Sequence, residues 1–222
     1  MSAQPKRTLY GYWRSSASYR VRIALNLKGL DYTHQSVHLV KNEQRQPDFL
    51  NKNPQGLIPL YVEEDSTGRF ELAQSLAIMD YLEMRYPDKP LLPADMHHCA
   101  KLRAAAFAIA CDIHPLDNLR VLNYLEQQLG VEAEAKMTWY RHWITTGFQA
   151  LERELPALLN GQTFSLGERP GYFEAVLVPQ VYNAKRFDCV LDDFPNLLAL
   201  NDACMKLPAF IAASPEKQPD AQ

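Results

Sequence analysis

The chain has 222 residues, 47% of them hydrophobic, and a formal net charge of −3. That length fits one large domain or two modest ones, and it can bury a full core without disulfide or metal staples. Mild acidity argues against a dedicated nucleic-acid binder, which carries a basic face, although the charge is uneven, with 11 basic and 9 acidic residues up to Tyr86 and 12 and 17 beyond it.

Thr8 to Trp13 is short, aromatic and aliphatic, and reads as a strand. A helix follows from Ser16 to Lys28, because Val21, Ala24, Leu25 and Lys28 recur on one face. Gly29 ends it, since glycine takes the left-handed conformation at a helix C-terminus without a steric penalty. Tyr32 to Val37 reads as a second strand, and the polar stretch from Lys41 to Lys52 as a loop with a short helix. Leu60–Val62 and Phe70–Leu72 read as a hairpin around Asp65-Ser66-Thr67-Gly68. Gln74 to Tyr86 is a further helix, with Leu76, Met79 and Leu82 at helical spacing. The order β-α-β-α-β-β-α predicts an α/β thioredoxin-like layer over residues 1–86.

Pro87, Pro90 and Pro93 cannot continue a helix, so 87–93 reads as a linker. Residues 94–222 are all helical in pattern: KLRAAAFAIACDI, LDNLRVLNYLEQQL and EAEAKMTWYRHWITTGFQALEREL carry apolar residues at three- and four-residue steps. Pro115 predicts a break near His114. The tail SPEKQPDAQ is polar and expected to fray. No internal repeat or low-complexity segment is present.

Cys99, Cys111, Cys189 and Cys204 form no CxxC pair and are expected to be buried free thiols. The adjacent His97, His98 and Cys99 do not converge as metal ligands and read as surface residues. Trp139, Tyr140 and Trp143 recur at helical spacing and read as core or interface. The opening MSAQPKRTLYGYW lacks the apolar core of a signal peptide, and no apolar run is long enough to span a bilayer. A cytoplasmic chain with no nucleic-acid or membrane partner is therefore expected.

The densest chemistry lies in Arg14-Ser15-Ser16-Ala17-Ser18-Tyr19-Arg20-Val21-Arg22, between strand and helix. One hydroxyl there suffices as an N-cap. A helix N-terminus also stabilises an anion, and a serine hydroxyl donating to a thiolate would lower its pKa from about 8.5 toward neutrality. Spacing alone leaves capping and catalysis both open. A second group is Asn53-Pro54-Gln55-Gly56-Leu57-Ile58-Pro59-Leu60 with Gln74-Ser75. Pro59 enters a strand where it donates no ladder hydrogen bond, and a cis Ile58–Pro59 peptide would leave the Ile58 main chain free for an extended ligand. Gln74-Ser75 offers a helix N-terminus for a carboxylate. A plain turn and a plain N-cap are the competing readings.

Together these segments resemble the glutathione site of the glutathione transferases, and more closely the zeta class, which includes maleylacetoacetate and maleylpyruvate isomerases. LYGYWRSSASYRVRIALNLKGLDY, NPQGLIPLY, QSLAIMDYLE, CDIHPLDNLRVL and LVPQVYNAKRF carry the resemblance across nearly the whole chain. It implies the glutathione transferase fold, glutathione as cofactor, a small dicarboxylate substrate, a homodimer, and cis-trans isomerisation of maleylacetoacetate or a close diacid in tyrosine and phenylalanine catabolism. By the same resemblance Ser15 holds the thiolate with help from Ser16. Ile58 pairs with the cysteinyl part beside Pro59, and Gln74 and Ser75 bind the γ-glutamyl end. Arg14 and Arg186 face substrate carboxylates, as a planar guanidinium suits. His114, Asn118 and Arg120 approach the cleft from the helical domain, whereas Arg20 and Arg22 make helix-surface or inter-domain pairs.

The chain departs from the class in two places. Ala17 stands where the class motif has cysteine, which argues against thiol-transferase side activity. Gly171-Tyr172-Phe173-Glu174 opens a helix that usually begins with threonine or serine followed by aspartate. Glu174 can still reach back to a main-chain N–H. Two rival uses of the scaffold are conjugation or dehalogenation of small α-halo acids, and a non-catalytic interaction protein. Retention of Ser15, Ser16, Gln74 and Ser75 argues against the latter.

Overall fold

The computed structural model describes residues 4–222. The chain forms two compact units, one running to Leu91 and completed by Lys206–Gln222, the other spanning Leu92–Met205.

The first unit is built on a four-stranded sheet in the order β2-β1-β3-β4. β1 (Lys6–Gly11) pairs parallel with β2 (Thr33–Ser36) and antiparallel with β3 (Leu60–Asp65), which forms a hairpin with β4 (Gly68–Ala73). β1 ends sooner than its aromatic run suggests, because Tyr12 and Trp13 leave the sheet in a turn closed by Ser15 N–H on the Tyr12 carbonyl at 3.0 Å. The hairpin is longer than its apolar residues predict. Glu63 is buried there, accepting from the hydroxyls of Tyr61 (2.5 Å), Tyr86 (2.6 Å) and Tyr81 (3.0 Å). Burial pushes its carboxyl up, but those donors and Arg7 outweigh it and hold it below the usual range. A satisfied carboxylate can occupy a strand that pattern alone would end.

α1 (Ser16–Lys28) is buried on nearly every side and closes on Gly29 in the left-handed conformation, φ 67°. The unit also holds 3-10 turns at Leu39–Lys41 and Glu43–Arg45, α2 (Pro47–Leu50) and α3 (Ser75–Arg85). Lys28 donates to the carbonyls of Tyr86 (2.9 Å) and Lys89 (3.0 Å), and Leu91 N–H donates to the Glu83 carboxylate. The expected linker is thus fastened to the first unit as far as Leu91.

The second unit opens with α4 (Met96–Phe107), which widens into a π-helical segment, Ala108–Ile113. That segment stops at Ile113, and the break expected near His114 is the turn over residues 114–118. α5 (Leu119–Gln127), α6 (Ala133–Leu159), α7 (Tyr172–Arg186) and α8 (Pro195–Cys204) follow. α7 is the central helix, buried along almost its whole length and packed on α4 and α8. Its start is held by Glu174, which accepts from Gly171 N–H (2.8 Å), Ser165 N–H (2.6 Å) and Ser165 Oγ (2.6 Å). Trp139 donates to the Leu116 carbonyl at 2.9 Å and Tyr140 is buried.

Four expectations need correction. The helical domain does not extend to residue 222: α9 (Pro208–Ala213) packs on α1 in the first unit. The tail is not frayed, since it forms a 3-10 turn at Pro215–Lys217 and Asp220 bonds to the sheet side of the first unit. Arg20 and Arg22 are not at a helix surface but buried within that unit, because main-chain carbonyls and Ser75 accept from them. Only Cys189 and Cys204 are buried, whereas Cys99 is half-buried and Cys111 exposed. Among the described residues, no helix is long and apolar enough to cross a membrane.

Candidate active site

Sheet register gathers the predicted residues of the first unit at one end. Tyr10 of β1 faces Leu60 of β3, and Leu60 faces Ala73 of β4. The end of β1 leading to Ser15, the entry of β3 at Ile58-Pro59, and the exit of β4 into Gln74-Ser75 therefore share one sheet edge.

Ser15 is the N-cap of α1, with extended main chain (φ −71°, ψ 116°) and its Oγ accepting from Ser18 N–H at 3.2 Å. Capping uses a lone pair of the hydroxyl oxygen and leaves its proton available. Among the described residues nothing accepts that proton. The capping and thiolate-donor readings are thus compatible in one side chain. The turn that presents Ser15 needs Gly11, where a Cβ would sit 3.0 Å from Ser18 Oγ. Ser16 is buried as the first residue of α1. Arg14 lies back on its neighbours, Nη2 donating to the Tyr12 hydroxyl at 3.1 Å with the guanidinium 4.6 Å from the Trp13 ring centre.

The Ile58–Pro59 peptide is cis. The Ile58 side chain packs on the cluster of Val37, Phe49, Leu60 and Val62. Among the described residues its N–H and C=O make no hydrogen bond within the protein. The preceding turn is fixed by buried Asn53, whose Nδ2 donates to the Leu57 carbonyl at 2.6 Å. Gln74 is exposed at the start of α3 and held at φ 74°, ψ 114°. This left-handed φ is costly for a residue with a side chain, and such outliers cluster at ligand sites. Its Nε2 donates to Gln55 Oε1 at 2.7 Å. Ser75 is buried, and its Oγ accepts from Arg20 Nη1 at 3.4 Å, tying α3 to α1.

Two residues that sequence reasoning did not assign to the site hold this edge. Arg22 is fully buried, Nη2 donating to the Trp13 carbonyl (3.0 Å), Nη1 to Tyr12 (3.4 Å) and Nε to Ala213 (2.9 Å). Burial lowers its pKa to about 10, so it stays charged at neutral pH. Asp220 Oδ2 accepts from Trp13 N–H at 3.2 Å. A sequence signal existed for Arg22 only: two arginines within an otherwise apolar helix.

The remaining predicted residues lie in the second unit. His114 follows the π-helical segment, its N–H reaching the Ile109 carbonyl at 2.9 Å. Asn118 caps α5, Oδ1 accepting from Arg120 N–H at 3.1 Å, and the Arg120 side chain is exposed. Arg186 ends α7 with its guanidinium 4.8 Å from the Phe187 ring centre. Buried Tyr140 links these places, since both Asp117 and Arg186 act electrostatically on its hydroxyl. Asp117 was unforeseen: it is buried, neither carboxyl oxygen has a hydrogen-bond partner among the described residues, and desolvation pushes its pKa up to about 8.

Residues 9–90 match the family model for the N-terminal domain of glutathione S-transferases. The chain is 47% identical over 215 residues to a probable maleylacetoacetate isomerase of Vibrio cholerae, covering 96% of this chain and 97% of that one. A holo structure of maleyl pyruvate isomerase, a bacterial zeta-class glutathione S-transferase, superposes with TM-score 0.91 at 41% identity, covering 97% of this chain and 100% of that one. The maleylacetoacetate isomerase of Methylobacterium extorquens AM1, solved with bound malonate and glutathione, gives TM-score 0.89 at 35% identity over 97% and 99% of the two chains. The chain belongs to the zeta class of the glutathione S-transferases.

Proposed function

We propose that this chain is a glutathione-dependent cis-trans isomerase of a small unsaturated diacid, maleylacetoacetate or maleylpyruvate. One observation carries the reading: a single sheet edge joins an unspent serine proton at a helix N-terminus, an unbonded main chain at Ile58 and the strained Gln74. These groups suit glutathione, an extended tripeptide with a thiol near its middle and a carboxylate at its γ-glutamyl end.

When bound, glutathione supplies the sulfur nucleophile that adds to the conjugated double bond, lets it rotate and leaves again. The protein's share is to make and hold the charges. The Ser15 hydroxyl donates to the sulfur, and the N-terminus of α1 favours the same negative charge, with Ser16 at the first helical position. Ile58 offers a donor and an acceptor to the cysteinyl main chain beside Pro59. Gln74 and Ser75, at the N-terminus of α3, receive the γ-glutamyl carboxylate. Arg14 and Arg186 neutralise substrate carboxylates and the charge that develops as sulfur adds. His114, Asn118 and Arg120 of the second unit are assigned to glutathione by the class resemblance alone. Ala17 leaves no protein thiol beside Ser16, so the sulfur chemistry rests with glutathione alone.

We assign the active form as a homodimer, which light scattering of the purified protein checks. Four unpaired cysteines fit a reducing cytoplasm. The deciding experiment follows cis-to-trans conversion of maleylacetoacetate beside maleylpyruvate, with and without glutathione. Turnover that ignores glutathione, or dechlorination of dichloroacetate outpacing both diacids, would overturn the assignment.

A further inference from the structure

The segment that presents Ser15 is gripped by the far end of the chain. Trp13 N–H, two residues before Ser15, donates to Asp220 Oδ2 at 3.2 Å, and Ser36 Oγ donates to the same oxygen at 2.9 Å. Asp220 Oδ1 lies 3.0 Å from His34 Nε2, close but poorly aligned for a hydrogen bond. The Trp13 and Tyr12 carbonyls are taken by Arg22, which is itself anchored on Ala213 of α9. Tyr12 also accepts Ser15 N–H. Every polar main-chain group of Trp13 is thus tied to Asp220 or Arg22. Trp13 is buried, so its N–H would lose its partner outright without Asp220.

We propose that Asp220 is a positioning residue for the isomerase site: by holding Trp13 N–H it fixes the turn that aims the Ser15 hydroxyl at the glutathione sulfur. The inference rests on the reading of Ser15 given above. A hydroxyl that donates across a hydrogen bond must be placed to within a few tenths of an ångström to hold a thiolate, because the interaction weakens steeply with angle. The tail supplies that constraint from outside the helix that Ser15 caps. The charged and titratable groups facing Asp220 are His34 on β2 and Arg22 on α1, with Glu216 of the tail acting on Arg22. Burial holds His34 below the usual imidazole range against the pull of Asp220.

The test compares full-length Asp220→Ala, Asp220→Asn, Ser36→Ala and Ser15→Ala proteins. It reads the ultraviolet absorbance of bound glutathione thiolate against pH, isomerase kcat and KM, and thermal midpoint. Asp220→Ala is expected to raise the bound thiol's pKa by about one unit, a tenfold fall in the thiolate-to-thiol ratio at fixed pH, with kcat falling as the thiolate fraction does. Asp220→Asn keeps an acceptor oxygen for Trp13 N–H and is expected to return kcat to within about threefold of the parent, a loss under one kcal/mol. Ser36→Ala leaves the Trp13 bond and is expected to titrate like the parent. Should Asp220→Ala fail to fold, Asp220→Glu, with the acceptor displaced by one methylene, carries the same expectation. An unchanged thiol titration in the Asp220 variant, or a loss of activity that only follows the thermal midpoint, overturns the inference while Ser15→Ala still abolishes thiolate. If Ser15→Ala keeps its thiolate, the reading of Ser15 falls first and this inference with it.

Discussion

Ser15 carries a cap and a catalytic donor in one oxygen, and the two can be separated. Ser15→Ala loses both: turnover is expected to fall by about a hundredfold or more, and stability by roughly 1 kcal/mol for the missing cap. Ser15→Gly loses the donor at a cost to capping of only a few tenths of a kcal/mol. Equal loss of kcat with unequal thermal midpoints is the expected pattern, and a Gly variant as active as the parent would remove Ser15 from the chemistry. Asp117 gives a second test. Its carboxyl is pushed up to about 8 by burial with no compensating donor. From the ordinary carboxyl value up to that pH the folded chain keeps a proton that the unfolded chain has released, so stability declines as pH rises through this window. Asp117→Asn is expected to flatten the decline and stabilise the protein near neutrality by about 1–3 kcal/mol. Parallel melting curves against pH for the two proteins would refute it. Ser15 was legible because hydroxyls crowd a helix start. Asp117 was not, because nothing in a sequence says that an aspartate beside a helix cap will be left without a donor.

At the level of elements, the π-helical segment depends on a glycine across from it. A Cβ on Gly147 of α6 would lie 2.2 Å from Ile113 Cδ1. Alanine there gains about 1 kcal/mol in helix propensity but overpacks the contact by about 1–3 kcal/mol, so Gly147→Ala is expected to lower the thermal midpoint. Adding Ile113→Val, which deletes Cδ1 but keeps Cγ1 at 2.4 Å, is expected to recover part of the loss, and strict additivity of the two changes would argue against the contact. The start of α7 behaves differently. Glu174 satisfies Gly171 and both donors of Ser165, so a capping hydroxyl at residue 171 adds little. Gly171→Thr is expected to move the melt by no more than a few degrees, and a large rise would show the cap to be deficient. Helix periodicity placed α1, α3 and α6 closely because their apolar spacing is unambiguous. It could not foresee a π turn, which leaves the periodicity of flanking residues almost unchanged, nor the polar half of the β3–β4 hairpin, which tyrosine hydroxyls around Glu63 sustain.

At the scale of the whole molecule, residues 206–222 return to the unit that opens the sequence. The first unit consists of residues far apart in sequence, with α9 and the tail packed on α1 and on the segment before Ser15. A chain ending at Leu91 lacks the acceptors for Arg22 Nε and Trp13 N–H, leaving a buried cation and a buried amide short of partners. That fragment is expected to show weak near-ultraviolet circular dichroism and broad melting, and fusing residues 206–222 to it through a flexible linker is expected to restore a cooperative transition. A cooperative melt in the short fragment would deny the tail this role. Composition misled here: a polar, proline-containing terminus usually frays, and only the contacts of Asp220 and Gln218 reveal a docked one.

The return of the tail also sets an order of events during synthesis. Domains ordinarily fold as they leave the ribosome, the earlier before the later. In this chain residues 4–91 wait on residues 206–222, so Arg22 Nε on α1 lacks its acceptor until Ala213 has been made. The helical middle is complete in sequence before the glutathione-binding unit, which is finished only when residues 206–222 return to it. A chain cut before Ala213 would therefore disable the unit that was translated first.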